Sequence, residues 1–288
     1  MSAVQNLQAR LARTPASIIL MGGLLIVFVV VAVFAPLLAP FDPARQSLIL
    51  RLRPPGSASP QGMTYLLGTD DLGRDLLSRV IYGARASMFV AVASVSVSLL
   101  IGATLGMLAG WRRGWVEVVI MRFVDVMLSI PAILLAVLAV AVAGPGFQTL
   151  ILVLGLTRWP RYARVAYAQT LQVATLPYIR AAELAGASAT RLLLRHVLPN
   201  IAGPLLVVAT AEFGLMILFE AGLSFLGLGI QPPTPSWGTI MSAGRQYIER
   251  AWWLTVFPGG CLFLLVLSVN VLGDWVRDRL DPRARTRG

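Results

Sequence analysis

Glu212, Met216 and Glu220 stand four residues apart inside an apolar run, which places two carboxylates near one side of a single helix. Acids in that setting either meet a proton, an ion or the polar groups of a passing solute, or pair with a neighbouring helix and hold a bundle together. Asp125 follows Arg122 by three residues, the spacing of an ion pair along one helix face, with a gating role as the alternative. Little other chemistry is on offer. His196 and Cys261 are single, too few for a histidine–cysteine zinc cluster, and the 13 acids are scattered. Cys261 lies in an apolar run and reads as a small buried hydrophobe. All 24 basic residues are arginine, so there is no lysine for a phosphate-binding loop or a Schiff base. One histidine leaves no nucleophile–base–orienter set for a hydrolase. No metal site, no cofactor held by this chain and no catalytic activity of its own are expected.

The elements that position these residues are set by composition. Of 288 residues 57% are hydrophobic and 13% charged, roughly half the charged share of a soluble domain. A membrane-crossing helix needs roughly 20 apolar residues. Six spans meet that expectation, at 17–39, 87–111, 116–143, 147–167, 201–226 and 251–273. The first is too long for a signal-peptide core, and Pro40 directly after it is an awkward cleavage context. The fourth is crowded by Arg158, Pro160, Arg161 and Arg164. With the N-terminus inside, sixteen arginines fall on the cytoplasmic side and eight outside, the balance that topology favours. A net charge of +11 therefore reads as membrane orientation, not nucleic-acid binding. Trp111, Trp115, Trp159, Trp237, Trp252, Trp253 and Trp275 are expected at helix ends, at headgroup level. Ser94, Ser98, Gly102, Gly106 and Gly110 form a small-residue stripe that admits a close helix neighbour.

Between the fourth and fifth spans the polar stretch YIRAAELAGASATRLLLRHVLPN, Tyr178 to Asn200, predicts a helix–turn–helix elbow. Gly186 ends the first short helix in a left-handed turn, and Ser188 caps the second. Pro199 and Pro204 fall near the start of the fifth span, where a missing N–H costs least. Ala181, Ala182 and Leu184 make a small apolar knob flanked by Arg180, Arg191 and Arg195. Such a knob either lies among lipid headgroups or docks a cytoplasmic partner.

The spacing Ala181-Ala182, Gly186, Leu198-Pro199 resembles the EAA loop of binding-protein-dependent ABC importer permeases. Arg180 stands where the motif's Glu is expected, which removes any salt bridge that the acid would make. LLGTDDLGRDLLSRVIYGARASM, RFVDVMLSIPAILLAV, LFEAGLSFLGLGIQPPTPSWG and NVLGDWVRDRLDPR, in that order, are similar to signatures of the C-type permease of peptide and nickel importers.

The resemblance implies an all-α type I importer permease with six transmembrane helices and a cytoplasmic coupling elbow. Its parts would be an N-terminal segment 1–16, a first helix 17–39 and an external loop 40–86. A permease core 87–276 with coupling loop 172–200 and an arginine-rich tail 277–288 would follow. It implies a bacterial inner-membrane chain with both termini cytoplasmic, paired with a second permease, two ATPases and an outside solute-binding protein. ATP and Mg would be held by the ATPases alone. Arg180, Ala181, Ala182, Leu184, Gly186, Arg191, Arg195, His196, Leu198 and Pro199 would dock the ATPase. Glu212, Met216, Glu220 and Asp125 are the candidates for the solute path. Asp70 to Arg85 is expected as an amphipathic helix, with Leu72, Leu76, Arg79 and Gly83 on one side. Asp70, Asp71, Arg74, Asp75, Arg79, Pro232, Pro233 and Trp237 are the candidates for contact with the binding protein. The expected cargo is di- or oligopeptide, with nickel or another small solute as the alternative. An ion-coupled secondary transporter is the rival class, but it lacks a visible inverted repeat with broken helices.

Overall fold

The computed structural model describes residues 15–58, 62 and 64–280, and its secondary structure is nearly all helix. Helix α1 spans Ala16–Val33 and α2 Ala35–Leu38. A loop follows, carrying the two-residue antiparallel strands β1, Ser57–Ala58, and β2, Thr64–Tyr65. Then come α3 (Leu76–Arg112), α4 (Gly114–Ser129), α5 (Ala132–Ala143), α6 (Phe147–Val173), α7 (Pro177–Leu184) and α8 (Ala189–Leu192). The chain ends with α9 (Leu198–Phe225), α10 (Trp237–Gly244) and α11 (Trp253–Leu280). Arg10, Arg13, Arg283, Arg285 and Arg287, which entered the orientation argument, lie outside the described residues.

Among the described residues four helices are long and apolar enough to cross a membrane, or five if α4 and α5 count as one span. The six expected spans are corrected on two points. The third is broken, because α4 and α5 meet at 90°. Pro131 excludes helical geometry at Ile130, whose ψ of 132° is extended. The fourth is present as the 27-residue α6, but Arg158, Arg161 and Arg164 keep it out of the apolar set.

Two compact units make up the chain. The first joins the residues up to Phe89 to Glu220–Arg279. Its first loop is tied down by close backbone contacts: a Cβ on Gly73 would lie 1.9 Å from the Ser47 carbonyl oxygen, and its φ of +71° suits glycine. The second unit is built on Val90–Phe219. There α6 packs against α4 and α5 and buries Leu150, Leu154, Tyr162, Ala163 and Ala166. The small-residue stripe of α3 meets α6, as expected. A Cβ on Gly102 would come within 2.4 Å of the Trp159 carbonyl oxygen, and one on Gly106 within 2.3 Å of that of Ala163. Ser98 donates its hydroxyl to the Gly155 carbonyl at 2.7 Å, so the seam combines close packing with hydrogen bonds.

Trp111, Trp115, Trp237, Trp252 and Trp253 fall at helix ends, as expected, but Trp159 does not. Trp159 lies mid-helix and buried, stacked on Phe123 at 5.9 Å. Trp237 and Trp253 are buried too, and each gives its indole N–H to a backbone carbonyl, Val80 at 3.0 Å and Thr69 at 3.2 Å.

Candidate functional site

The elbow forms from local signals. Pro177 opens α7 at its first position, where its missing N–H costs nothing. The helix closes with two reverse hydrogen bonds, Ala187 N–H to Ala182 at 3.1 Å and Gly186 N–H to Glu183 at 2.9 Å. That closure requires the left-handed φ of +84° at Gly186, where a side chain would cost about 1–2 kcal/mol. Ser188 then caps α8, its hydroxyl accepting from Arg191 N–H at 3.4 Å. One wide turn, Leu193–Val197, carries the chain directly into α9.

Anchoring is as specific as the turn. Ile179 and Val197 are buried in a cluster with Ala103, Met107, Tyr162, Ala166, Val173, Ile201 and Leu205. Asn200 donates to the Tyr178 hydroxyl at 3.0 Å and to the His196 carbonyl at 2.6 Å, closing the elbow across its base. What remains points outward. Arg180, Ala181, Gly186, Arg191, Arg195 and Pro199 are exposed, while Ala182, His196 and Leu198 are half-buried. Leu184 is 91% exposed, a large apolar side chain with almost none of its surface covered. The elbow therefore carries an exposed apolar side chain, Leu184, on a buried base, with Arg180, Glu183, Arg191 and Arg195 exposed as well.

The acids of α9 have separate surroundings. In the second unit Glu212 accepts two hydrogen bonds from Arg158, both at 2.8 Å, and a third from Arg161 at 3.2 Å. Of its two readings, the pairing role is what its geometry supplies. The Arg158 guanidinium also lies 5.3 Å from the centre of the Phe219 ring. Asp125 does not pair along its own helix with Arg122; it meets Arg164 of α6 at 2.6 Å. In the first unit Glu220 is fully buried and accepts from Ser224 at 2.7 Å, with the Ser87 and Ser236 hydroxyls close by. Met216 is also fully buried. The arginines of α6 are the residues that sequence reasoning passed over as topology markers. Their signal was the demand of any mid-membrane charge for a partner.

The first loop corrects a further expectation. No separate amphipathic helix covers Asp70–Arg85, because α3 starts at Leu76 and nothing interrupts it before Arg112. Asp70 instead organises a knot. One carboxylate oxygen accepts from the backbone N–H of Leu72 and Arg74, both at 2.9 Å. The other meets Arg74 at 2.7 Å and Arg79 at 3.3 Å. Asp75 caps α3, accepting from the Ser78 N–H at 2.8 Å and hydroxyl at 2.6 Å. Burial raises its carboxyl above the usual carboxylate range, against the pull of those Ser78 bonds. Asp70, Arg74, Asp75, Arg79 and Trp237 are therefore interior residues that shape this loop and present no contact surface. Asp71 is partly covered, and Pro232 and Pro233 are exposed.

Comparison with known proteins follows the same lines. Residues 102–286 match the family described as the binding-protein-dependent transport system inner membrane component. Residues 10–55 match the N-terminal TM domain of oligopeptide transport permease C. The di/tripeptide transport system permease protein DppC of Pseudomonas aeruginosa (strain UCBPP-PA14) is 45% identical over 267 residues, 92% of this chain and 88% of that one. The dipeptide transport system permease protein DppC of Escherichia coli (strain K12) is 41% identical over 265 residues, 91% and 88% of the two chains. Among solved structures, an inward-facing MetNI methionine ABC transporter gives a TM-score of 0.58 at 22% identity, covering 72% of this chain and 98% of that one. An amino acid ABC transporter with histidines gives 0.52 at 15% identity, covering 71% and 95%. At these identities the two structures share the fold.

Proposed function

The chain belongs to the family of binding-protein-dependent transport system inner membrane components, and from that premise we propose that it carries di- or tripeptides across the inner membrane as one half of a paired ABC importer permease. The substrate class follows the relatives, which are named as dipeptide and di/tripeptide permeases. The arrangement supports a chain that moves solute and leaves ATP and Mg to two cytoplasmic ATPases. A homologous permease completes the path, and an outside binding protein delivers the peptide. Both termini and the elbow face the cytoplasm in this arrangement, in keeping with the arginine balance.

One observation carries the coupling role: a rigid elbow, anchored by Ile179 and Val197, that leaves Leu184 91% exposed at its tip. An isolated exposed leucine is ordinary; one held at the tip of a capped, cross-braced elbow is placed for a partner. On docking, Leu184 enters an apolar groove of the ATPase while Arg180, Arg191 and Arg195 meet acids at its rim. Movement of the ATPases on ATP binding then passes through α7 and α8 into α9, which is continuous with the elbow. The test is co-purification in mild detergent from the native membrane. Wild-type chain is expected to bring a second permease and ATPase subunits. Leu184→Asp is expected to keep the permease and lose the ATPases. Retention of ATPases by that variant would place the docking contact elsewhere.

A further inference from the structure

Arg161 sits half-way along α6 and its side chain is 54% exposed, although it lies in a helix bundle built for a membrane. A guanidinium left exposed within a helix read as membrane-crossing is placed for water or another polar group, not for lipid tails. Its neighbours sharpen the point. Arg158 binds Glu212 through two nitrogens and is buried, so that carboxylate is already neutralised. Arg161 reaches the same carboxylate through one nitrogen only, at 3.2 Å. Two guanidiniums share one acid, which leaves one positive charge on the exposed side. One turn on, Arg164 is neutralised by Asp125 at 2.6 Å. Beyond Arg161 the exposed positions of α6 are Arg164, Ala168 and Gln172, in steps of three and four along one face. Before it they are Gln148, Leu152 and Leu156, so the face turns from mainly apolar to polar at Arg161.

We propose that this face of α6 lines the solute path and that Arg161 receives the C-terminal carboxylate of the peptide in transit. The inference rests on the peptide-importer reading above. Carboxylate is the ligand that answers a single surplus guanidinium with free, forked donors. The Glu212 tether holds the fork in place while drawing off part of its charge. That suits a contact that must release its ligand, because passage requires sites weak enough to leave.

The experiment uses the complete complex in proteoliposomes with its binding protein. In a Cys261→Ala background, Ala168→Cys is expected to react with a water-soluble thiol reagent and to be protected during peptide transport. Arg161→Gln is expected to lower the maximal uptake rate about tenfold, the loss of one charge-assisted hydrogen bond. The half-saturating peptide concentration, set by the binding protein, stays unchanged, and Arg161→Lys, which keeps the charge but not the fork, restores only part of the rate. An Ala168→Cys that never reacts in any nucleotide state overturns the proposal, as does an unchanged rate in Arg161→Gln. Loss of the second permease from the Arg161→Gln complex would also overturn it, by assigning the counter-charge to the partner. Wild-type uptake that needs neither binding protein nor ATP would instead overturn the functional reading beneath it.

Discussion

Glu212 and Glu220 look alike in the sequence, and their surroundings give them different work. Glu212 is a structural anchor, since its three hydrogen bonds to Arg158 and Arg161 saturate one oxygen pair and tie α6 to α9 within the second unit. Removing one partner of a buried pair strands the other charge, at a cost of about 3–5 kcal/mol. Glu212→Gln is therefore expected to lower the thermal midpoint and the yield of folded complex, while the apolar pair Arg158→Met with Glu212→Met recovers much of both. Thermal unfolding in detergent reads this directly, and an unperturbed Glu212→Gln would return Glu212 to the solute path. Glu220 has no cation near it among the described residues, only the hydroxyls of serines 87, 224 and 236. The acids were legible in the sequence as mid-membrane carboxylates. Their partners were not, because Arg158 and Glu212 are 54 positions apart and no local spacing links them.

At the scale of elements, the seam between α3 and α6 sets how closely the second unit packs. Gly106 leaves no room for a side chain, since its Cβ would fall 2.3 Å from a backbone oxygen that cannot step aside. Gly106→Val is expected to force α3 and α6 apart and cut the amount of folded protein several-fold, measured by size-exclusion of the detergent-extracted chain. Full recovery of monodisperse protein would show that the seam is not tightly packed. The four-residue spacing made this stripe readable in advance, and the elbow was readable too, where Gly186 and Ser188 each dictate one backbone event. Other elements were less legible. The bend at Pro131 follows from a local rule, yet the apolar run across it read as one span. The 70–85 segment has an amphipathic pattern, but what decides its form is the Asp70 knot and a helix with no stop before Arg112. Tertiary hydrogen bonds of that kind leave no periodic trace. Trp237 and Trp253 stand at helix ends as the pattern predicts, but each gives its indole N–H to a backbone carbonyl, a partner the pattern does not name.

At the scale of the whole molecule, the chain is a permease of the binding-protein-dependent import family, a membrane part of a larger machine. Its exposed features divide by purpose: an apolar tip ringed by arginines on the elbow, and a surplus guanidinium along α6. On the reading proposed above, each is answered by something outside this chain, an ATPase groove for the first and a peptide carboxylate for the second. The most direct measurement is uptake of a labelled dipeptide into proteoliposomes holding both permeases and both ATPases, with binding protein added outside. Uptake that requires ATP and the binding protein together, and that is indifferent to an imposed proton or sodium gradient, is the predicted result. Uptake that continues without ATP and follows the gradient would contradict the account.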